Sequence, residues 1–173
     1  MANGPLNKLR VMVDANVLVA GSLWPRLPYE VLEHAVNGDF QLVLTPQIIT
    51  EAREAAAEIS PMRGARLEGV LKASAYEEIP TPTEDEIAAD AGLIRDPKDV
   101  HVALAAIAGK VDFLITQDKD FTEHTEQTEV LHQKINIILP GTFLREYMGW
   151  TSEALEAIRK RTWAELETEN RDE

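Results

Sequence analysis

The feature that most constrains this chain is an alternation of short apolar runs with longer stretches of helical spacing. Leu9-Arg-Val-Met-Val13 reads as a first strand that stops at Asp14, and Gln41-Leu-Val-Leu44 as a second. Phe113-Leu-Ile-Thr116 and Ile135-Asn-Ile-Ile-Leu139 read as later strands, with Tyr76-Glu-Glu-Ile79 as a short edge strand. Between the first two, Val31, Leu32, Ala35 and Val36 recur at helical spacing, and that segment stops near Gly38. Thr45-Pro46 supplies an N-cap and a proline at the first helical position for a helix through Ile59. Pro61 ends it, and a further helix runs to about Ala75. Thr83 and Glu86 stand at capping-box spacing. Asp96-Pro97 opens a helix whose body, Val100 to Ala108, is apolar nearly all round except for His101, so it should be buried against a sheet.

Strands interleaved with helices require right-handed crossovers and a mostly parallel sheet covered on both faces. The expectation is an α/β fold, a three-layer α/β/α domain from about residue 8 to 147, and 173 residues suit one such domain. Residues 151–170 are expected to form a separate C-terminal helix with Leu155, Ile158, Thr162 and Leu166 along one face, a stripe suited to docking on the chain's own core.

Composition removes many functions. There is no cysteine, which excludes disulfide scaffolds, thiolate zinc sites, iron–sulfur clusters and cysteine nucleophiles. No Gly-x-Gly-x-x-Gly, phosphate-binding Gly-Lys-Ser/Thr loop, Gly-x-Ser-x-Gly elbow or His-Glu-x-x-His occurs. The four histidines, His34, His101, His124 and His132, show no ligand spacing and read as surface or satisfied core residues. The start, Met1 to Lys8, has no apolar run of the secretory kind, and the longest apolar run, Val102 to Ala108, is far short of a membrane span. A cytoplasmic protein without membrane contact is the simplest expectation. Seventeen basic residues against 30 acidic ones give a net charge of −13, so the chain repels phosphate at long range. Phosphate chemistry must therefore rest on metal ions or on a local group of arginines and lysines.

Carboxylates remain, and their placement is unusual. Asp14 ends the first strand; Asp118 and Asp120 follow the Phe113–Thr116 run. In an open parallel sheet, ligands bind beyond the carboxyl ends of the strands where strand order reverses. Asp96 and Asp99 open the buried helix before that later strand, and Glu51 lies one to two turns into the helix after the second. Each has a plainer reading: Asp96 as an N-cap, Asp99 as a dipole partner, Asp118 and Asp120 as turn formers, Glu51 as a solvated helix acid. Gathered together, such acids repel and are destabilising unless a cation neutralises them. With oxygen donors alone, Mg²⁺ or Mn²⁺ is the suitable ion, and metal-assisted phosphodiester hydrolysis the suited reaction.

In order, Val13-Asp14-Ala-Asn16-Val-Leu, Thr45-Pro-Gln-Ile-Ile-Thr-Glu51, Asp96-Pro-Lys-Asp99 before an alanine-rich helix, and Leu114-Ile-Thr116-Gln-Asp118-Lys-Asp120-Phe121 resemble a PIN domain. The nearest group is the bacterial and archaeal one described as toxin components of toxin–antitoxin systems. The resemblance covers about residues 9 to 147, including the Leu139-Pro-Gly-Thr-Phe-Leu144 ending. It implies a Mg²⁺- or Mn²⁺-dependent endoribonuclease. Asp14, Glu51, Asp99 and Asp118 match the family's acidic quartet, Asp120 a frequent extra acid and Asn16 the polar residue of the first motif. Asp14, Asp99 and Asp118 are then the expected metal ligands and Glu51 the group that orients or deprotonates water, with Asn16, Asp96, Thr116 and Asp120 in support. The implied partners are an RNA substrate and, for the toxin group, an antitoxin protein and a second copy of the chain. Gln117, where the family often has a small residue, and the helix after Trp150 depart from the pattern.

Substrate grip has one sequence candidate. Arg53, Arg63, Arg66 and Lys72 follow Glu51, with Arg63 and Arg66 on one helix face; the alternative is a solvated face balanced by Glu54, Glu58 and Glu68. Residues 73–94 hold six acids and no lysine or arginine, and should face away from RNA or toward a basic partner such as an antitoxin segment. Three other readings stay open. An aspartyl phosphotransferase of the haloacid-dehalogenase kind wants Asp-x-Asp where Asn16 stands; an inactive PIN-like module should lack one of the acids; a DNA nuclease would share the same metal chemistry.

Overall fold

A computed structural model describes residues 8–172. The reading of residues 1–7 as free of a leader therefore lies outside the described residues. Strand β1 (Arg10–Val13) turns at Asp14 directly into helix α1 (Ala15–Leu23), and α2 (Leu27–Val36) follows. Gly38, at a φ of +81°, makes the left-handed turn toward β2 (Gln41–Leu44), where a side chain would be strained. Helix α3 (Pro46–Ile59) starts where the Thr45 hydroxyl accepts the Ile48 N–H at 3.1 Å, and Ser60 caps α4 (Pro61–Ala73) in the same way. An edge strand β3 (Glu77–Glu78) leads to α5 (Glu84–Ala89), opened by the Thr83/Glu86 capping box. A 3-10 turn, Pro97–Asp99, then feeds α6 (Val100–Ala108) and β4 (Phe113–Ile115). Helices α7 (Lys119–Thr122) and α8 (Glu126–Lys134), strand β5 (Ile137–Ile138) and α9 (Pro140–Tyr147) complete the domain.

All strand pairs are parallel, in the order β3-β2-β1-β4-β5. Val11 at the centre stands opposite Leu42 on one side and Phe113 on the other. The sheet thus grows outward from β1 in two directions, and its switch point lies between β1 and β4. Right-handed crossovers place the helices of the two halves on opposite faces, giving the expected three-layer α/β/α arrangement. The core is the buried sheet (Val11, Met12, Val13, Leu42, Val43, Leu44, Leu114, Ile115) clamped by apolar helix faces.

Helix α1 is one the residue pattern does not announce. Its apolar residues show no stripe because Val17, Leu18 and Val19 are all buried, and only the Asp14 cap marks its start. The expected single helix over 151–170 is instead two: α10 (Ser152–Ile158) and α11 (Trp163–Arg171). The break arises because Arg161 turns inward and is 6% exposed, donating to the Pro25 carbonyl at 2.7 Å and to Glu30 at 2.6 Å. Thr162 and Glu165 then form a capping box that restarts the helix. Leu155 joins the core cluster, and the Trp163 indole N–H donates to the Leu23 carbonyl at 2.9 Å, so the extension docks on its own domain. Thr162 is a cap between the helices rather than part of one continuous stripe.

Candidate active site

Strand β1 delivers Asp14 to the switch point already tied down. Its Oδ1 accepts the Val17 N–H at 2.9 Å, and its Oδ2 accepts the Thr116 hydroxyl at 2.5 Å, joining the ends of β1 and β4. Asp14 is 7% exposed and Thr116 fully buried. The Thr116 oxygen in turn accepts the Asp118 N–H at 3.0 Å, and Asp118 Oδ1 caps α7 by accepting the Asp120 N–H at 2.8 Å. One threonine therefore sets both Asp14 and Asp118. Asn16 lies exposed beside them, its backbone N–H toward the Asp14 carboxylate.

The segment before α6 supplies the rest. Asp96 Oδ1 accepts the Lys98 N–H at 3.1 Å, so the N-cap reading of Asp96 holds. Its carboxylate nonetheless also belongs to the site: Asp96, Asp99 and Asp120 each bring an oxygen within 4.8 Å of the others. Arg95 forms an ion pair with Asp120 without directed hydrogen-bond geometry, leaving the buried Oδ1 unsatisfied in that sense.

Crowding shows in the proton affinities. Asp99 is pushed up to about 7 from an ordinary 3.8, first by desolvation and then by the charges of Asp118 and Asp96, with Asp118 hydrogen-bonded to its protonated form and Asp14 adding repulsion. Burial also raises Asp14, opposed by its bonds to Thr116 and Val17. Five carboxylates from three chain segments thus share one edge, and Asp99 feels the charges of Asp118, Asp96 and Asp14. Oxygen donors alone, and a charge excess that raises Asp99, fit a hard divalent cation.

Glu51 stands beside this group rather than in it. Its Oε1 lies 2.9 Å from His101 Nε2 and 3.2 Å from the donating Gln47 amide. His101 is 3% exposed, and burial lowers its proton affinity against the pull of Glu51. Its contact with Glu51 is close but off hydrogen-bond alignment, leaving both ring nitrogens without a directed partner. Residue-type reasoning set His101 aside as a satisfied core residue. The available signal was that it is the one polar side chain in the Val100–Ala108 stretch, two residues after Asp99.

Two of the four cations named from sequence are engaged. Arg53 grips Glu68 through two bonds of 2.6 and 3.1 Å, and Arg66 lies 3.9 Å from the centre of the Trp163 ring. Arg63 is half-buried and Lys72 exposed on α4. In the acidic segment, Glu77 is taken by Arg10 at 2.6 Å and Glu86 by its capping box, while α5 has no buried residue.

Fold and site together define a parallel α/β domain with a carboxylate centre at its strand switch point. The chain belongs to the PIN domain family: residues 10–120 match the family model, a span that holds Asp14, Glu51, Asp99, Asp118 and Asp120. PIN domains are generally hydrolytic nucleases. The crystal structure of PAE2754 from Pyrobaculum aerophilum shares the fold at a TM-score of 0.55 and 21% identity, over 82% of this chain and 97% of that one. No curated protein matches the chain. Among the described residues no helix is long and apolar enough to cross a membrane.

Proposed function

We propose that this chain is a metal-dependent endoribonuclease that hydrolyses RNA phosphodiester bonds, with Mg²⁺ or Mn²⁺ as the cation. The observation that carries the reading is the convergence of Asp14, Asp96, Asp99, Asp118 and Asp120 on one sheet edge, with Asp99 raised by its neighbours. Asp14, Asp99 and Asp118 would hold the ion, with Asp96 and Asp120, whose oxygens lie within 4.8 Å of one on Asp99, beside them. When bound, a hard divalent cation supplies Lewis-acid activation of water and offsets charge on the phosphodiester. Thr116 sets the direction of Asp14, and Asp118 takes its position from the same hydroxyl. Glu51 would orient or deprotonate the attacking water, with His101 behind its carboxylate to limit its rotation. RNA as substrate, and the role of toxin beside an antitoxin and a second copy of the chain, follow from the family resemblance.

The test is cleavage of a mixed RNA pool with Mn²⁺, Mg²⁺ or EDTA, beside Asp99→Asn and a matched DNA strand. Metal-dependent RNA cleavage that Asp99→Asn removes supports the reading. Cleavage unchanged in that variant overturns the site, and equal cutting of DNA overturns RNA as the specific substrate.

A further inference from the structure

A cleft of about 440 Å³ opens beside the carboxylates, and its lining includes Trp24, Arg26, Leu27, Gln117, Arg159 and Lys160. Gln117 fixes its place: it lies between Thr116, which holds Asp14, and Asp118. The lining brings three cations and no carboxylate, in a chain of net charge −13. The cleft on the Asp120 side differs, because there Arg95 and Lys119 are offset by Asp120, Glu123 and Glu126.

Two walls face each other across this cleft. One is the turn after α1, where Trp24 is 43% exposed and the Arg26 guanidinium lies 5.5 Å from its ring centre. The other is the break between α10 and α11, which lies beyond the family-matching span. Arg161 locks the two together, donating to Pro25 at 2.7 Å, while Arg26 donates to the Arg161 carbonyl at 3.3 Å. The chain just before Arg161 is thereby anchored, and the Arg159 and Lys160 side chains are exposed there. Arg159 has only an exposed partner, Glu156 at 2.7 Å, a pair in water that a phosphate readily displaces.

Cations flanking an exposed indole are what a single strand needs: phosphates on the cations, an unpaired base on the ring. We infer that this cleft is a binding groove for single-stranded RNA, with Arg26, Arg159 and Lys160 on the backbone and Trp24 under a base, leading the strand past Gln117 into the carboxylate centre. The direction into the centre rests on the nuclease reading; the binding does not.

The experiment measures anisotropy of a short labelled single-stranded RNA in EDTA across a salt series, using the full chain. Arg159→Gln with Lys160→Gln should weaken binding about tenfold or more and flatten the salt slope by roughly 1.4, at about 0.7 for each phosphate no longer neutralised. Trp24→Ala should weaken it about fivefold or more, while Trp24→Phe retains most of the affinity. Arg53→Gln with Arg63→Gln should change neither. With Mn²⁺, the Arg159/Lys160 pair should raise KM and leave kcat at saturating RNA unchanged. An unaltered slope in that pair, no RNA binding by the wild type, or equal binding of duplex RNA overturns the groove. If binding behaves as expected and no metal supports cleavage, the nuclease reading fails and the groove stands. If Asp99-dependent cleavage survives with the same KM in the Arg159/Lys160 pair, the groove fails and the nuclease stands.

Discussion

Replacing Asp99 by Asn should make the metal-free protein more stable while destroying its response to metal. Asp99 holds its proton up to about pH 7 in the folded chain and releases it near 3.8 when unfolded. Between those values the folded state binds the extra proton, so this group favours folding at low pH. Its contribution falls as pH rises through the window and stays low above about 7. The full interval corresponds to ~4 kcal/mol. Asp99 is only half-buried, and solvent screening reduces that to about 1–2 kcal/mol. Asparagine keeps the shape and a donor toward Asp118 without the charge. At pH 8 in EDTA the variant should therefore melt roughly 2–8 °C higher than the wild type, and the gap should close toward pH 4. Saturating Mn²⁺ at about 100 times its Kd should stabilise the wild type by ~2.7 kcal/mol and the variant by much less. Thermal melts over pH 4–8, with EDTA or Mn²⁺, read all of this. Melting curves that run parallel with pH, or a variant that keeps the full Mn²⁺ shift, would refute the account of a charge-crowded centre.

Thr116→Val removes the donor to buried Asp14 and should cost ~2 kcal/mol in urea denaturation. The loss should be larger at pH 8 than at pH 5, because the Asp14 proton affinity, already raised, rises further. Arg161→Met leaves the partly buried Glu30 without its cation and should cost about 3 kcal/mol, with early hydrogen exchange across α11; adding Glu30→Leu should recover most of it. The RNA association rate should pass through a maximum with salt. Repulsion from the net charge dominates where the Debye length is ~30 Å, and attraction by the local cations is screened at high ionic strength. A rate that only falls with salt, measured by stopped flow, would contradict this.

Most of the sheet was legible because buried parallel strands are short continuous apolar runs, and Gln41–Leu44 and Phe113–Ile115 show that pattern almost to the residue. Helix starts were legible wherever chemistry marks them, as at Thr45-Pro46 and Thr83-x-x-Glu86. Helix α1 was hidden because it is apolar on nearly every side after Asn16, so periodicity has little contrast to report. The split after Ile158 was hidden because an apolar stripe carries no information about a buried arginine, although Thr162 and Glu165 stood at capping-box spacing throughout. At the site, the positions of Asp14 and Asp118 just past their strands, and of Asp96 and Asp99 at the start of the buried helix, implied that these acids share one edge. They did not predict that Glu51 pairs with His101, nor that Arg66 packs on Trp163, whereas the Arg53–Glu68 pair is the balanced face that the sequence offered as the alternative to substrate grip. Those depend on which faces of distant helices come together, and one-dimensional spacing does not encode that.

On the proposed groove reading, charge gives the C-terminal helices a role. On the proposed nuclease reading, a centre of five carboxylates repels the phosphates it must take, and a bound cation would offset that repulsion only over a few ångströms. Cations spread over the surface would not help a chain with 30 acids where a neighbouring carboxylate occupies them, as Glu68 does Arg53. What helps is a place where cations are held apart from carboxylates and close to the centre. The turn at Trp24–Arg26 offers half of it, and the break at Arg159–Lys160 supplies the other half from outside the family-matching span. The buried Arg161 is then more than an anchor. By spending one cation on Pro25 and Glu30, the fold leaves the two preceding ones in solvent on the lining of the proposed groove.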